Sequence, residues 1–189
     1  MSVAGDCNSS VVNSVPLILI GLRASGKSTL GRELADGLPV HFADLDDLAL
    51  QQLDATSVEE VFAQGGESAW RQAEQQAFAL WLASASGVLA CGGGAPCIPE
   101  VRSSMQSSGA CVVYLHAGVD ALVARRERQD QDRPVLFGAG GLEEEVARAY
   151  EARDAVFRSL AHHIIEVDEQ KPADNLAALR RIFAEQCSK

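Results

Sequence analysis

Lysine is scarce in this 189-residue sequence: it has three lysines against thirteen arginines, and its 26 acidic residues outnumber all 16 of those bases, for a net charge of −10. Nucleic-acid binding needs a basic face, so no nucleic-acid partner is expected. Long apolar runs are also missing. Val15–Ile20 has only the length of a buried strand, and no run comes near the roughly 20 residues that span a membrane. No membrane partner is expected either. The N-terminus has neither the basic start of a signal peptide nor the Arg-rich pattern of a transit peptide. Residues 1–14 therefore read as a flexible polar tail, and the cytoplasm is the expected compartment. Cysteines are few and odd in number (Cys7, Cys91, Cys97, Cys111, Cys187), with no histidine at ligand spacing. They read as reduced thiols rather than a disulfide framework or a zinc site.

What is present is ordinary for a globular chain, 47% hydrophobic and 22% charged, and its length suits one domain, residues 15–189. Strand-like and helix-like stretches alternate, which predicts an α/β fold with a parallel sheet. The expected strands are Val15–Ile20, Val40–Ala43, Gly87–Cys91, Ala110–Leu115 and Ile164–Val167. Helical spacing covers Ser28–Leu38, Leu45–Leu53, Ser57–Gln64, Glu67–Ala83, Pro99–Ser108, Gly118–Arg128, Leu142–Leu160 and Pro172–Gln186. Within Glu67–Ala83, the residues Trp70, Ala73, Ala77, Leu80 and Trp81 are expected to share one buried face. Residues 128–141 break the pattern: they are polar, contain Pro134 and end in a glycine-rich run, so a mobile segment is expected there.

The sequence Gly21-Leu22-Arg23-Ala24-Ser25-Gly26-Lys27-Ser28 matches G-x-x-x-x-G-K-[ST] between a buried strand and a helix. Such a loop turns successive N–H groups toward phosphate oxygens, and the helix N-terminus adds its positive dipole end. Lys27 is expected on the β- and γ-phosphates, and the Ser28 hydroxyl on Mg²⁺. A glycine-rich turn before an ordinary helix is the bland alternative, and the flanking strand and helix argue against it. The loop with Thr29 is thus the expected binding site for ATP and Mg²⁺. It does not name the acceptor.

Other groups fall at strand ends, where open parallel sheets bind their ligands. Asp44 and Asp46 follow the second strand, and period-two alternation would put both carboxylates on one side of an extended segment. A solvated turn or a helix cap is the alternative. Gly92-Gly93-Gly94 follows the third strand, a costly run favoured where something must approach the main chain closely. Arg71 opens a helix after Gly65-Gly66, Arg133 lies in the segment 128–141, and Arg153 is on the long helix beyond it.

In this order and spacing the set resembles shikimate kinase: a P-loop, D-x-D, G-E-x-x-[aromatic]-R, G-G-G, R-P-[LV]-L and a later Arg. The likeness runs over about Leu17–Val167. It implies a three-layer P-loop kinase fold with a five-stranded parallel sheet, helices on both faces and a lid at about 128–141. It also implies ATP-dependent phosphorylation of shikimate to shikimate 3-phosphate, in aromatic amino acid biosynthesis. By the resemblance Asp44 would hold Mg²⁺ with Ser28, and Asp46 would meet the shikimate hydroxyls as general base, with no large pKa shift needed. Arg71 and Arg153 would grip the shikimate carboxylate, and Gly92, Gly93 and Gly94 would face its ring. Arg133 would close over the γ-phosphate and Arg126 would pack on the adenine. A monomer is expected. The sequence departs from the family pattern at Trp70, where the family usually has Phe, at Asp47-Leu48-Ala49-Leu50, and at Ala155-Val156-Phe157, where a tyrosine hydroxyl is lost. Two alternatives remain: another small-metabolite P-loop kinase of the gluconate type, and a silent nucleotide-binding regulator.

Overall fold

A computed structural model describes residues 15–84, 87–129, 141–168 and 171–187. The expected tail 1–14, most of the expected lid with Arg133, and Cys7 lie outside the described residues. Five strands, β1 (Leu17–Ile20), β2 (Phe42–Asp44), β3 (Val88–Ala90), β4 (Cys111–His116) and β5 (His163–Glu166), form one parallel sheet in the order β2-β3-β1-β4-β5. All four residues of β1 have zero exposure. Because alternate side chains point to opposite faces, this requires helices on both faces of the sheet. The α/β P-loop kinase fold expected from the sequence is the one observed.

The helices are α1 (Lys27–Asp36), α2 (Leu45–Leu53), α3 (Val58–Ala83), α4 (Pro99–Ser107), α5 (Val119–Gln129), α6 (Gly141–Leu160) and α7 (Pro172–Cys187). A short 3₁₀ turn, Ala95–Cys97, was not foreseen. The two helices expected over residues 57–83 are both observed within α3, where they meet at a kink with non-helical backbone at Gly66 (φ 68°, ψ −174°). Its buried stripe also differs from expectation. Trp70, Ala73, Glu74, Ala77 and Phe78 are buried, whereas Leu80 is 64% exposed. The stripe follows the i, i+3, i+4 rule, and Leu80 lies off it.

Strand order explains where ligands can sit. β1 lies between β3 and β4, so the chain leaves β1 toward one side of the sheet and β4 toward the other. A crevice opens where those connections part, outside the C-terminal strand ends. The sheet's opposite end is closed tightly. Gly87 enters β3 at φ 108°, and a Cβ there would fall on the carbonyl of His41, which accepts the Val88 N–H at 2.8 Å. Gly87→Ala is expected to destabilise the fold by about 2 kcal/mol or more, since both the backbone conformation and the contact resist a side chain. Urea unfolding reads this directly; an unchanged midpoint would contradict it.

Candidate active site

The loop between β1 and α1 ends at Gly26, which takes a left-handed conformation (φ 92°) and leads into α1 with no side-chain cap and no acid in the first turn. By contrast α2 and α3 are capped by Asp44 and Ser57. The first N–H groups of α1 are therefore left for an anion, which the helix dipole also favours. Residues 22–24 and 26–29 line a cavity of about 830 Å³. Gly21 and Ser25 belong to the loop without lining it. Lys27 is buried and donates to the Leu22 carbonyl at 2.8 Å, within its own loop. Burial holds its ammonium down to about 8, against the pull of Asp46 and Asp44.

Asp44 and Asp46 both line this cavity, but not as alternate residues of a strand. The strand ends at Asp44, whose carboxylate caps α2 by accepting the Asp46 backbone N–H at 3.1 Å. The other oxygen of Asp44 accepts the Ser28 hydroxyl at 2.6 Å. The helix-cap alternative is thus correct for Asp44, and the cap is what brings Asp46 into the cavity on the first turn of α2. Ser28 and Asp44 form an all-oxygen pair of the kind that suits a hard divalent ion such as Mg²⁺. Asp46 is more perturbed than expected. Burial pushes its carboxyl up to about 6, reinforced by Asp44 and opposed by Lys27. Its Oδ1 is buried with no hydrogen-bond partner among the described residues.

The three glycines after β3 all line the cavity, and charged side chains press against two of them, Gly92 and Gly94. A Cβ on Gly92 would lie 2.6 Å from Glu74 Oε1 and closer still to Asp46 Oδ1. On Gly94 it would lie 2.7 Å from the Arg71 guanidinium carbon. Gly93 offers its carbonyl to Arg153 Nη1 at 3.1 Å. Arg71 is held by Glu74 at 2.6 Å and Glu67 at 2.8 Å. Arg126 lines the cavity, paired at 2.9 Å with Glu145 of α6. The fold therefore assembles the expected loop, aspartates, glycines, Arg126 and Arg153 around one cavity, with Arg71 packed behind Gly94. Arg133 lies outside the described residues.

The family model for shikimate kinase matches residues 23–186. The chain belongs to the shikimate kinase family. It is 36% identical to shikimate kinase 2 of Pectobacterium atrosepticum, over 88% of this chain and 95% of that one. Identity to the shikimate kinase of Pseudomonas entomophila is 38%, covering 82% and 88%. The solved shikimate kinase of Acinetobacter baumannii, in complex with shikimate, superposes with a TM-score of 0.78 at 29% identity, covering 91% and 95%. That of Bacteroides thetaiotaomicron gives 0.76 at 27%, covering 90% and 98%.

Two features of this family member escaped the sequence. Glu74, 1% exposed, braces Arg71 from beneath. Burial pushes its carboxyl up, and Arg71 pulls it down. Its signal was a lone acid on the apolar stripe of α3, where an unpaired charge would be costly. The second is Ala24, a non-glycine residue at φ 67° inside the loop, a conformation that costs an L-residue about 1–2 kcal/mol. Arg125 reaches its carbonyl at 3.4 Å and that of Val167 at 2.7 Å, tying loop to sheet edge. Ala24→Gly is expected to raise stability by about 1 kcal/mol. The check is thermal unfolding of the ligand-free protein; a lowered Tm would show that the loop is not strained there.

Proposed function

We propose that this cavity transfers the γ-phosphoryl group of ATP to the 3-hydroxyl of shikimate, with the site residues in the following roles. The N–H groups of the loop and Lys27 bind the β- and γ-phosphates, and Ser28 and Asp44 hold Mg²⁺. When bound, the ion supplies charge neutralisation for the phosphates. Arg71 and Arg153 bind the shikimate carboxylate, for which a planar guanidinium fork is suited. Gly92, Gly93 and Gly94 leave room for the ring. Arg126 packs against the adenine, and Arg133 closes over the transferring group.

Asp46 takes the proton of the attacking hydroxyl. The alcohol oxygen forms its bond to phosphorus, the bond to the ADP oxygen breaks, and the proton passes to the Asp46 carboxylate. The observation that carries this reading is the orphaned Oδ1 of Asp46, buried in the same cavity as the phosphate loop and Arg153. A carboxyl near 6 is ionised at neutral pH yet more basic than an ordinary aspartate, which is what a general base requires. In-line transfer then asks the protein mainly for position and charge stabilisation.

Among the described residues no helix is long and apolar enough to cross a membrane. The cytoplasm, expected from the sequence, is the compartment we propose, and a monomer is the proposed state.

ADP release in the presence of shikimate, quinate, gluconate or a nucleoside monophosphate tests the acceptor. Turnover is expected with shikimate, and faster turnover with any other would overturn the reading. Asp46→Asn is expected to lower kcat about 10²-fold or more with ATP binding near normal. The pH profile adds a sign. Because burial raises the Asp46 carboxyl to about 6, the active carboxylate form is lost as pH falls through that value. The kcat/KM for shikimate should therefore drop about tenfold per unit below pH 6; a profile flat down to pH 5 would remove Asp46 as base.

Arg153→Ala is expected to weaken shikimate binding by about 1.5–3 kcal/mol, the scale of a charge-assisted bond. A change confined to the ATP constant would mean that the helix arginine serves the nucleotide instead.

A further inference from the structure

Outside the cavity lining, His116 ends β4 within a polar cluster that joins three elements. Its Nδ1 contacts Glu166 Oε2, on the β5 residue paired with it across the sheet. Its Nε2 lies 2.9 Å from the Tyr150 hydroxyl and 3.8 Å from Asp154 Oδ1, both on α6. Asp154 in turn accepts the Tyr114 hydroxyl at 2.9 Å and Arg158 Nε at 2.8 Å. The rings of Tyr114 and Tyr150 flank the imidazole at 5.4 and 5.8 Å. An ionised carboxylate can only accept, so Nδ1 carries the proton toward Glu166. In the neutral ring Nε2 then accepts from Tyr150.

The cluster matters because of where it holds α6. The helix fully buries Val146, Phe157 and Leu160 and nothing in between. Within that three-turn interval Ala149, Tyr150 and Val156 are only partly buried against the core. Tyr150 and Asp154 are the interval's polar attachments to the sheet, and they bracket Arg153, one turn before it and one residue after. Arg153 extends from that stretch to the Gly93 carbonyl.

We propose that His116 is a positioning residue for the acceptor: through Tyr150, alongside the Tyr114–Asp154 hydrogen bond, it fixes the middle of α6 to the β4–β5 edge, and so sets where the Arg153 guanidinium meets the substrate carboxylate. Position counts here, since displacements of about 1 Å at a binding group can cost up to 10²-fold in rate. The inference rests on the reading of Arg153 as a shikimate ligand.

Steady-state kinetics on the full chain separate the two claims. Tyr150→Phe keeps the ring and removes the hydroxyl that meets His116 and Arg158; His116→Leu removes the hub. Each is expected to raise the KM for shikimate about threefold to tenfold, the scale of one hydrogen bond. The KM for ATP and kcat should stay within about twofold. The double variant should be no worse than His116→Leu, because both changes break the same link. Arg153→Ala serves as the reference. If it raises the shikimate KM and Tyr150→Phe does not, the positioning role is wrong while the arginine's role stands. If Arg153→Ala leaves that KM unchanged, both fall. Equal losses in the ATP constant, or additive losses in the double variant, would also overturn the inference, since they mark general loosening.

Discussion

Lys27, Asp44 and Asp46 share one poorly hydrated spot at the C-terminal ends of β1 and β2, and the chemistry of the site depends on that crowding. Burial disfavours the charged forms of Lys27 and Asp46. The attraction between the two opposes that, leaving the ammonium at about 8 and the Asp46 carboxyl at about 6. The second acid beside Asp46 contributes to its rise, so Asp44 affects the base as well as capping α2. An aspartate in water would be a weaker base by about two units, and a lysine in water would not be held against a loop carbonyl. On the proposed roles, ligand binding exchanges partners: Lys27 leaves Leu22 for phosphate, and Ser28 and Asp44 turn from each other to a shared ion.

The glycine run follows from the same crowding. Asp46 and Glu74 press on Gly92 while Arg71 presses on Gly94, so backbone without side chains is the only surface that lets these charges converge. Glu74 repays its burial by fixing Arg71 through a hydrogen-bonded ion pair. Removing one partner of such a pair strands the other, which is more damaging than never having buried either. The pair is thus better understood as a device for orientation than as a source of stability.

How much of this was legible in the sequence depended on how local each feature is. The loop Gly21–Ser28 was readable because its chemistry is backbone chemistry, set by contiguous residues and by the strand and helix around it. The middle of the sheet was readable because its buried strands β1, β3 and β4 are continuous apolar runs. Asp44 and Asp46 were found, but through the wrong geometry: period two was applied to residues that a helix cap, not a strand, brings together. The shift of Asp46 was missed because desolvation depends on what the fold packs around a group, which spacing does not reveal. Leu80 was misplaced on α3 because three or four candidate positions fit a helical stripe, and the packing of Phe78 chose among them. Glu74 was not singled out, because the partner that makes its burial tolerable, Arg71, is fixed only by the folded helix. The His116 cluster was invisible, since its members at 114, 116, 150, 154 and 166 meet only after the sheet and α6 are formed.

On the proposed roles, one helix links the two halves of the reaction. The first turns of α6 carry Glu145, which pairs with Arg126, the proposed adenine contact, and its middle carries Arg153, the proposed carboxylate ligand. Both arginines already have protein partners, a carboxylate and a carbonyl, so each arriving ligand must offer at least as good an acceptor. A substrate carboxylate exceeds the neutral Gly93 carbonyl by the margin of a charge-assisted bond, and Arg153 is therefore won over readily. The Glu145–Arg126 pair ties α6 to α5 while Arg153, on the proposed reading, exchanges the Gly93 carbonyl for the substrate carboxylate. The polar hub proposed at His116 resists tilting of α6 at the same moment. Helix anchoring is in this way linked to where two arginines find their resting partners.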